Sequence, residues 1–319
     1  MPGLLGEPVG PDAPEAAPVL RPPPRPPSPW AALCWAALGT MTGWVAVWVG
    51  MGLIYFPIWY ALSSNAPSDL YQAYRRSFHT PWGLATGTLM MQAAAGMVVF
   101  WRARRDQSAP ALVQLGLCRG RVGVWAWPFL FFASWPVSYA GAILTWLGQL
   151  MGLIPTKAPY FERDMRALAG AGPGEAVAIA VVLGLCAGFG EEIVVRGYLQ
   201  HRLMRRWPAW AAIGAGSLLF AAFHLDLSHI VAIVPVGLWL GYVAWRTGSI
   251  RATIAVHACI DVTYFLLALL PRDMTEGFRD PWVLWPLGLL ALVSFPASIA
   301  ILEITARRRR AEVSVPGSE

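Results

Sequence analysis

Two adjacent glutamates and an arginine lie inside an apolar stretch of the 319-residue chain. An ionisable side chain within a membrane-spanning helix costs roughly 2.5 kcal/mol or more, so each one requires a partner or a task. Glu192 and Arg196 are four residues apart and share a helix face, which predicts an ion pair. Glu191 is rotated by about 100° from Glu192 and can accept a proton from water at another surface. The alternative is that all three residues form a salt-bridge network at a helix end.

Two histidines follow, each with a potential partner one helical turn away. Phe220 and His224 are four residues apart, so the phenyl ring can shield the imidazole from lipid and restrict its rotamers. His257 and Asp261 repeat this spacing, and the carboxylate can orient the ring, or the two side chains can share a metal ion. A single buried histidine is usually a packing residue. Two of them with several acidic groups in neighbouring apolar segments indicate a functional site.

Composition places these residues in a bilayer. The chain is 56% hydrophobic and 13% charged, with a mean hydropathy of +0.50, which is more apolar surface than a soluble domain of this size can bury. Backbone exposed to lipid must satisfy its own hydrogen bonds, so the apolar runs should be helices. We predict an all-α, polytopic membrane bundle of about eight transmembrane helices, at about 30–62, 81–101, 124–153, 175–200, 209–226, 229–246, 252–271 and 281–303.

The basic residues report on topology. The net charge of +6 comes from short arginine clusters between apolar runs, a pattern that does not favour nucleic-acid binding. Assigning alternate connections to opposite sides of the membrane puts most of them on one side: Arg21, Arg25, Arg102, Arg104, Arg105, Arg119, Arg121, Arg202, Arg205, Arg206, Arg246, Arg251, Arg307, Arg308, Arg309 and Arg310. We therefore predict an integral protein of the cytoplasmic (inner) membrane with both termini in the cytoplasm.

The same patterns divide the chain into three parts. Residues 1–29 are rich in proline and lack an apolar core, which predicts a disordered cytoplasmic tail. Residues 30–303 form the predicted transmembrane domain, with the chemically interesting core at about 175–265. Residues 304–319 form a basic cytoplasmic tail.

Three motifs in order give the core a specific resemblance. Glu191-Glu192-x-x-x-Arg196, Phe220-x-x-x-His224 and His257-x-x-x-Asp261 resemble the motifs of the CAAX protease and bacteriocin-processing (CPBP) family of intramembrane proteases. The resemblance implies peptide-bond hydrolysis, with Glu191 and His224 activating a water. The third motif would stabilise the oxyanion, and Glu192, Arg196 and Phe220 would support the site. A short, tilted or kinked fifth span is needed to bring His224 to the depth of Glu191 and His257.

Asp261 departs from family members that have asparagine at this position. An asparagine can donate a hydrogen bond to an oxyanion, whereas an ionised aspartate cannot. Asp261 is then neutral, or it orients His257, or it joins Glu191, His224 and His257 around a divalent metal such as zinc. No cofactor is required by the metal-free interpretation, which we favour.

The resemblance also implies the partners. The expected substrate is a membrane-anchored or lipidated peptide or protein, presented from the lipid bilayer at the depth of the site. The sequence does not define the oligomeric state. The alternative function is that of a non-catalytic membrane protein, such as an immunity or secretion partner, that uses the same polar cavity to bind a peptide.

Overall fold

The computed structural model describes residues 28–106, 109–156, 168, 171–269 and 281–314. All regular secondary structure within these residues is helical, so the predicted all-α membrane bundle is confirmed. Almost all of the predicted proline-rich tail, and the last residues of the predicted basic tail, lie outside the described residues.

The described residues form twelve α-helices, numbered here in chain order. They are α1 (Pro29–Gly50), α2 (Phe56–Leu62), α3 (Leu70–Phe78), α4 (Pro81–Arg105), α5 (Ala111–Gln114), α6 (Trp127–Leu150), α7 (Pro173–Glu192), α8 (His201–Leu203), α9 (Ala209–Ala222), α10 (Leu227–Thr247), α11 (Arg251–Leu269) and α12 (Pro281–Ser314). A π-helical turn at Met51–Tyr55 joins α1 to α2, a second at Ile193–Gln200 joins α7 to α8, and a 3₁₀ turn at Val124–Ala126 precedes α6.

Each predicted span coincides with one of these helical segments. Six segments in the described part of the chain are long and apolar enough to cross a membrane: Pro29–Leu62, Pro81–Arg105, Val124–Leu150, Pro173–Leu203, Leu227–Thr247 and Trp285–Arg307. The fifth predicted span corresponds to α9, which has only 14 residues. At 1.5 Å per residue it is about 21 Å long, so it ends short of the far side of a hydrocarbon core of about 30 Å.

Helix starts follow from proline and from side-chain capping. Pro29, Pro81 and Pro173 each open a helix, where the missing amide hydrogen would have had no intrahelical acceptor. Asp226 caps α10, because its Oδ1 accepts hydrogen bonds from the backbone N–H groups of Ser228 (3.1 Å) and His229 (3.3 Å). The Asp226 side chain therefore holds the end of the turn between α9 and α10 in place.

Helix α7 occupies a central position, packed against α4 on one side and α11 on another. Gly184 and Gly188 allow α11 to approach closely. A Cβ atom at Gly188 would lie 2.7 Å from the backbone nitrogen of Ala258, and one at Gly184 would lie 2.8 Å from the Ala258 carbonyl oxygen. Helices in a bilayer associate through such close packing of small residues. The two helices that carry the first and third motifs are thus held at a short separation.

The predicted basic connections lie at one end of the bundle. Arg121 N donates to Thr247 O at 2.9 Å, and Ile250 N donates to Gly116 O at 2.9 Å, so the segment before α6 packs on the turn between α10 and α11. Asp106 pairs with Arg202 at 3.6 Å, which brings the ends of α4 and α8 together. These three basic connections, which the charge pattern assigned to one side, are therefore neighbours in space. Which membrane face they meet stays a prediction.

Substituting Gly188 with alanine is expected to destabilise the protein. The added methyl group meets backbone rather than a flexible side chain, so α7 and α11 must separate, at a cost of about 1–3 kcal/mol. The thermal midpoint in detergent should fall. The control is Gly96→Ala in α4, where a Cβ atom meets nothing within 4 Å and helix propensity favours alanine. Equal midpoints for the two variants would contradict this packing.

Candidate active site

The first and third motifs meet at a buried carboxylate. Oε1 of Glu192 accepts hydrogen bonds from Arg196 Nη1 at 2.7 Å and from His257 Nδ1 at 2.9 Å. Glu192 is fully buried, and Arg196 is only 2% exposed. The predicted Glu192–Arg196 pair is present. The histidine of the third motif is a second partner that helical spacing did not predict, because it comes from another helix.

Arg196 connects this pair to the second motif. Its Nη2 donates to the carbonyl oxygen of Gly237 on α10 at 3.0 Å, and its guanidinium carbon lies 4.5 Å from the centre of the Phe220 ring. A guanidinium offers several donors in one plane and packs well on aromatic faces, so one side chain can tie together three segments. Arg196 lies within the π-helical turn that follows α7, and such turns often occur at functional sites.

Glu191 and Asp261 approach the other nitrogen of His257. Oε2 of Glu191 lies 3.9 Å from His257 Nε2, and Oδ2 of Asp261 lies 3.6 Å from it. These distances exceed a direct hydrogen bond, but one water or substrate oxygen can bridge the groups. The side chains of Glu191 and Asp261 are 21% and 25% exposed, whereas that of His257 is 5% exposed. The carboxylates thus form the open part of the cluster.

The structure shows Glu192, rather than Asp261, as the direct hydrogen-bond partner that orients His257. A carboxylate accepts, so the His257 Nδ1–H donates to Glu192 and Nε2 of the ring faces Glu191 and Asp261. Spacing along one helix suggested Asp261 for this role. Its longer distance leaves Asp261 beside the reacting region instead.

His224 lies next to this cluster with Phe220 as the shared contact. Its ring centre is 5.3 Å from that of Phe220, which in turn is 5.7 Å from that of His257. His224 Nδ1 donates to the Phe220 carbonyl oxygen at 3.1 Å, so Nε2 is the ring nitrogen left to contact water or substrate. His224 follows the end of α9, and Leu225 has a positive φ of 55°. The second motif therefore ends in a sharp turn, with its histidine beyond the short helix.

The same part of the chain matches a known family model. Residues 173–263 match the model described as type II CAAX prenyl endopeptidase Rce1-like. This segment is similar to an Rce1-like domain of the CAAX protease family. The match agrees with the resemblance found in the three motifs. No curated protein sequence and no solved structure shows significant similarity to the chain. With the apolar helices, the Rce1-like domain supports an intramembrane endopeptidase in general terms.

Two residues at the site of the Rce1-like domain were not identified from sequence. Gln92 on α4 donates from Nε2 to Glu191 Oε1 at 2.9 Å, and the ring centre of His229 lies 4.6 Å from that of His224. An amide inside an apolar span is costly and could have drawn attention to Gln92. Position 229 follows a predicted turn, where a histidine at the membrane interface is common. Neither residue has a motif partner at helical spacing.

The four predicted metal ligands are not arranged around one point. Among the side chains that the structure describes, no three His, Cys, Asp or Glu residues are arranged to hold a metal ion. Glu191, His257 and Asp261 converge, and His224 contacts the Phe220 ring that also contacts His257. The four predicted ligands do not fit a common ion in this arrangement, so no step of the chemistry is derived from one.

Removing the arginine of the buried pair is expected to be strongly destabilising. Arg196→Met leaves the Glu192 charge without its main partner, which typically costs about 3–5 kcal/mol. Unfolding in detergent by heat or denaturant measures the loss. Arg205→Met removes an exposed arginine two turns further on and should have little effect. If the two variants unfold alike, the pair does not hold the site together.

Proposed function

We propose that this chain is an intramembrane endopeptidase that hydrolyses a peptide bond of a membrane-associated substrate with water activated by Glu191 and His224. The observation that carries the proposal is the convergence of Glu191, His257 and Asp261, from two neighbouring helices, around one partly exposed region. The match of residues 173–263 to the Rce1-like family model supports the reaction type. The mechanism is of the glutamate type.

Glu191 is the proposed general base. Its Oε1 is occupied by Gln92, and its Oε2 faces the gap beside His257 Nε2. A water in that gap gives a proton to Glu191 while its oxygen attacks the scissile carbonyl carbon. The carbon–nitrogen bond then breaks, and the leaving amine takes the proton. Nε2 of His224 is the second acceptor available to orient the water or hold its proton.

His257 is the proposed stabiliser of the oxyanion that forms on the carbonyl oxygen. Glu192 fixes the plane of the ring, so Nε2 is directed at the reacting region without further ordering. The ring donates a hydrogen bond when Nε2 carries a proton. An ionised Asp261 would repel the oxyanion and cannot stabilise it directly. Its proposed part is instead to keep the proton on His257 Nε2, which lies 3.6 Å from Asp261 Oδ2.

The proposed substrate is anchored in the membrane. Glu191 lies on the segment Pro173–Leu203, which is long and apolar enough to span a bilayer, and a lipid or an amphipathic segment would hold a peptide at the corresponding depth. The family model is named for prenyl endopeptidases, so a prenylated peptide is the first probe to use.

Glu191→Gln is expected to abolish turnover while peptide binding persists. The amide keeps the shape of the side chain but cannot take a proton, and loss of a general base typically costs about 10²–10⁴-fold in rate. Cleavage and binding of a fluorescent prenylated peptide by the purified full chain would measure both quantities. Glu175→Gln, at the start of the same helix, is the matched control and should cleave normally.

Two outcomes would contradict the proposal. Normal cleavage by Glu191→Gln would remove Glu191 from the chemistry. Binding of the peptide by the wild-type chain without any cleavage would favour the non-catalytic alternative, in which the polar cluster holds a peptide without hydrolysing it.

Metal dependence is a separate prediction that chelation can decide. In the glutamate-type mechanism, turnover should persist in excess chelator because the reacting groups all belong to the chain. The metal-dependent version, with Glu191, His224, His257 and Asp261 as ligands, requires loss of turnover, recovery with added Zn²⁺ and stoichiometric metal in the purified protein. Loss and recovery of activity in this way would overturn the glutamate-type assignment.

A further inference from the structure

A buried glutamine from outside the Rce1-like domain contacts the proposed general base. Gln92 lies in the middle of α4, is 7% exposed, and belongs to the second predicted span. Its Nε2 donates to Oε1 of Glu191 at 2.9 Å, across 99 residues of sequence. The family match begins at residue 173, so this contact joins the N-terminal part of the chain to the matched core.

Helices α4 and α7 approach closely at Gln92 because residue 190 is glycine. A Cβ atom there would lie 2.5 Å from both Cβ and Oε1 of Gln92. The amide group therefore lies directly against the backbone that precedes Glu191. A Cβ atom at position 190 would require Gln92 or the helix that carries it to shift. The sequence Gly190-Glu191 thus supplies both the space for the amide and its acceptor.

The chemistry of the contact differs from simple packing. A carboxylate oxygen is an acceptor and the amide nitrogen is a donor, so the contact is a directed hydrogen bond from Gln92 to the proposed general base. It also fixes one oxygen of the carboxylate. The other oxygen, Oε2, is then the one that faces His257 Nε2 at 3.9 Å. The hydrogen bond thus restricts rotation of the carboxylate away from the reacting region.

We infer that Gln92 is a positioning residue of the peptidase, acting through Glu191 rather than on the substrate. The inference rests on the proposed function of Glu191. It also implies that the Rce1-like segment is incomplete by itself, because α4 supplies part of the support for its general base. Preorganised groups of this kind determine rate, since small displacements of a catalytic group are costly.

The test compares three variants of the full chain with a prenylated peptide substrate. Gln92→Met keeps the length of the side chain but removes the donor, and Gln92→Glu replaces the donor with a second carboxylate. We expect kcat to fall by about 10- to 100-fold in Gln92→Met and further in Gln92→Glu, with KM nearly unchanged. Gln200→Met is the control, because Gln200 is also buried and donates one hydrogen bond, to Gly241 O at 2.9 Å.

A merely structural glutamine would behave differently. Gln92→Met and Gln200→Met would then lose thermal stability alike, and neither would change kcat selectively. A double-mutant cycle with Glu191→Asp, which keeps a carboxylate in a shorter side chain, sharpens the comparison. If Gln92 acts through Glu191, adding Gln92→Met to Glu191→Asp should cost little more. Additive losses in kcat, or an unchanged kcat in Gln92→Met, would overturn the inference.

A second double-mutant cycle measures stability and does not depend on turnover. Gln92→Met and Glu191→Gln, alone and combined, are compared by thermal unfolding in detergent. Independent effects on the midpoint would show that the two side chains do not interact, and this would overturn the inference whatever the activity. If they are coupled but the wild-type chain cleaves no prenylated peptide, the proposed function fails. The pair would then be a structural contact and the positioning role would be wrong.

Discussion

A carboxylate that is completely removed from water must be neutralised by its neighbours, and Glu192 imposes this condition on the whole site. Its neighbours are Arg196, at 2.7 Å, and His257, at 2.9 Å. Because an unpaired charge in the interior costs several kcal/mol, these side chains are restricted to a narrow range of positions. Arg196 then reaches Gly237 and Phe220. Four segments of the chain are therefore placed by one buried charge.

The neighbouring glutamate has the opposite environment. Glu191 remains partly exposed and faces a gap beside His257 Nε2, whereas Glu192 is enclosed. Adjacent positions on a helix point in different directions, so two identical side chains can have a structural and a chemical task. Small residues make this division possible. Gly188 admits α11 next to Glu192, and Gly190 admits α4 next to Glu191.

The features that were predictable from sequence are those set by local geometry. Apolar length gave the helical spans, and the four-residue spacing gave the Glu192–Arg196 pair, because neither depends on how helices pack. Contacts between helices were not predictable in this way. The bonds from His257 to Glu192 and from Gln92 to Glu191 depend on the relative rotation and depth of separate helices. Spacing along one helix pointed to Asp261 as the partner of His257, whereas Glu192 makes the direct hydrogen bond.

The short helix α9 has a consequence for the surrounding lipid. Its 14 residues reach about 21 Å, against a hydrocarbon thickness of about 30 Å. A bilayer relieves such hydrophobic mismatch by local thinning at the protein boundary. The headgroup layer should therefore dip toward the turn that carries His224. The depth at which an anchored peptide meets the site then depends on acyl-chain length as well as on the protein.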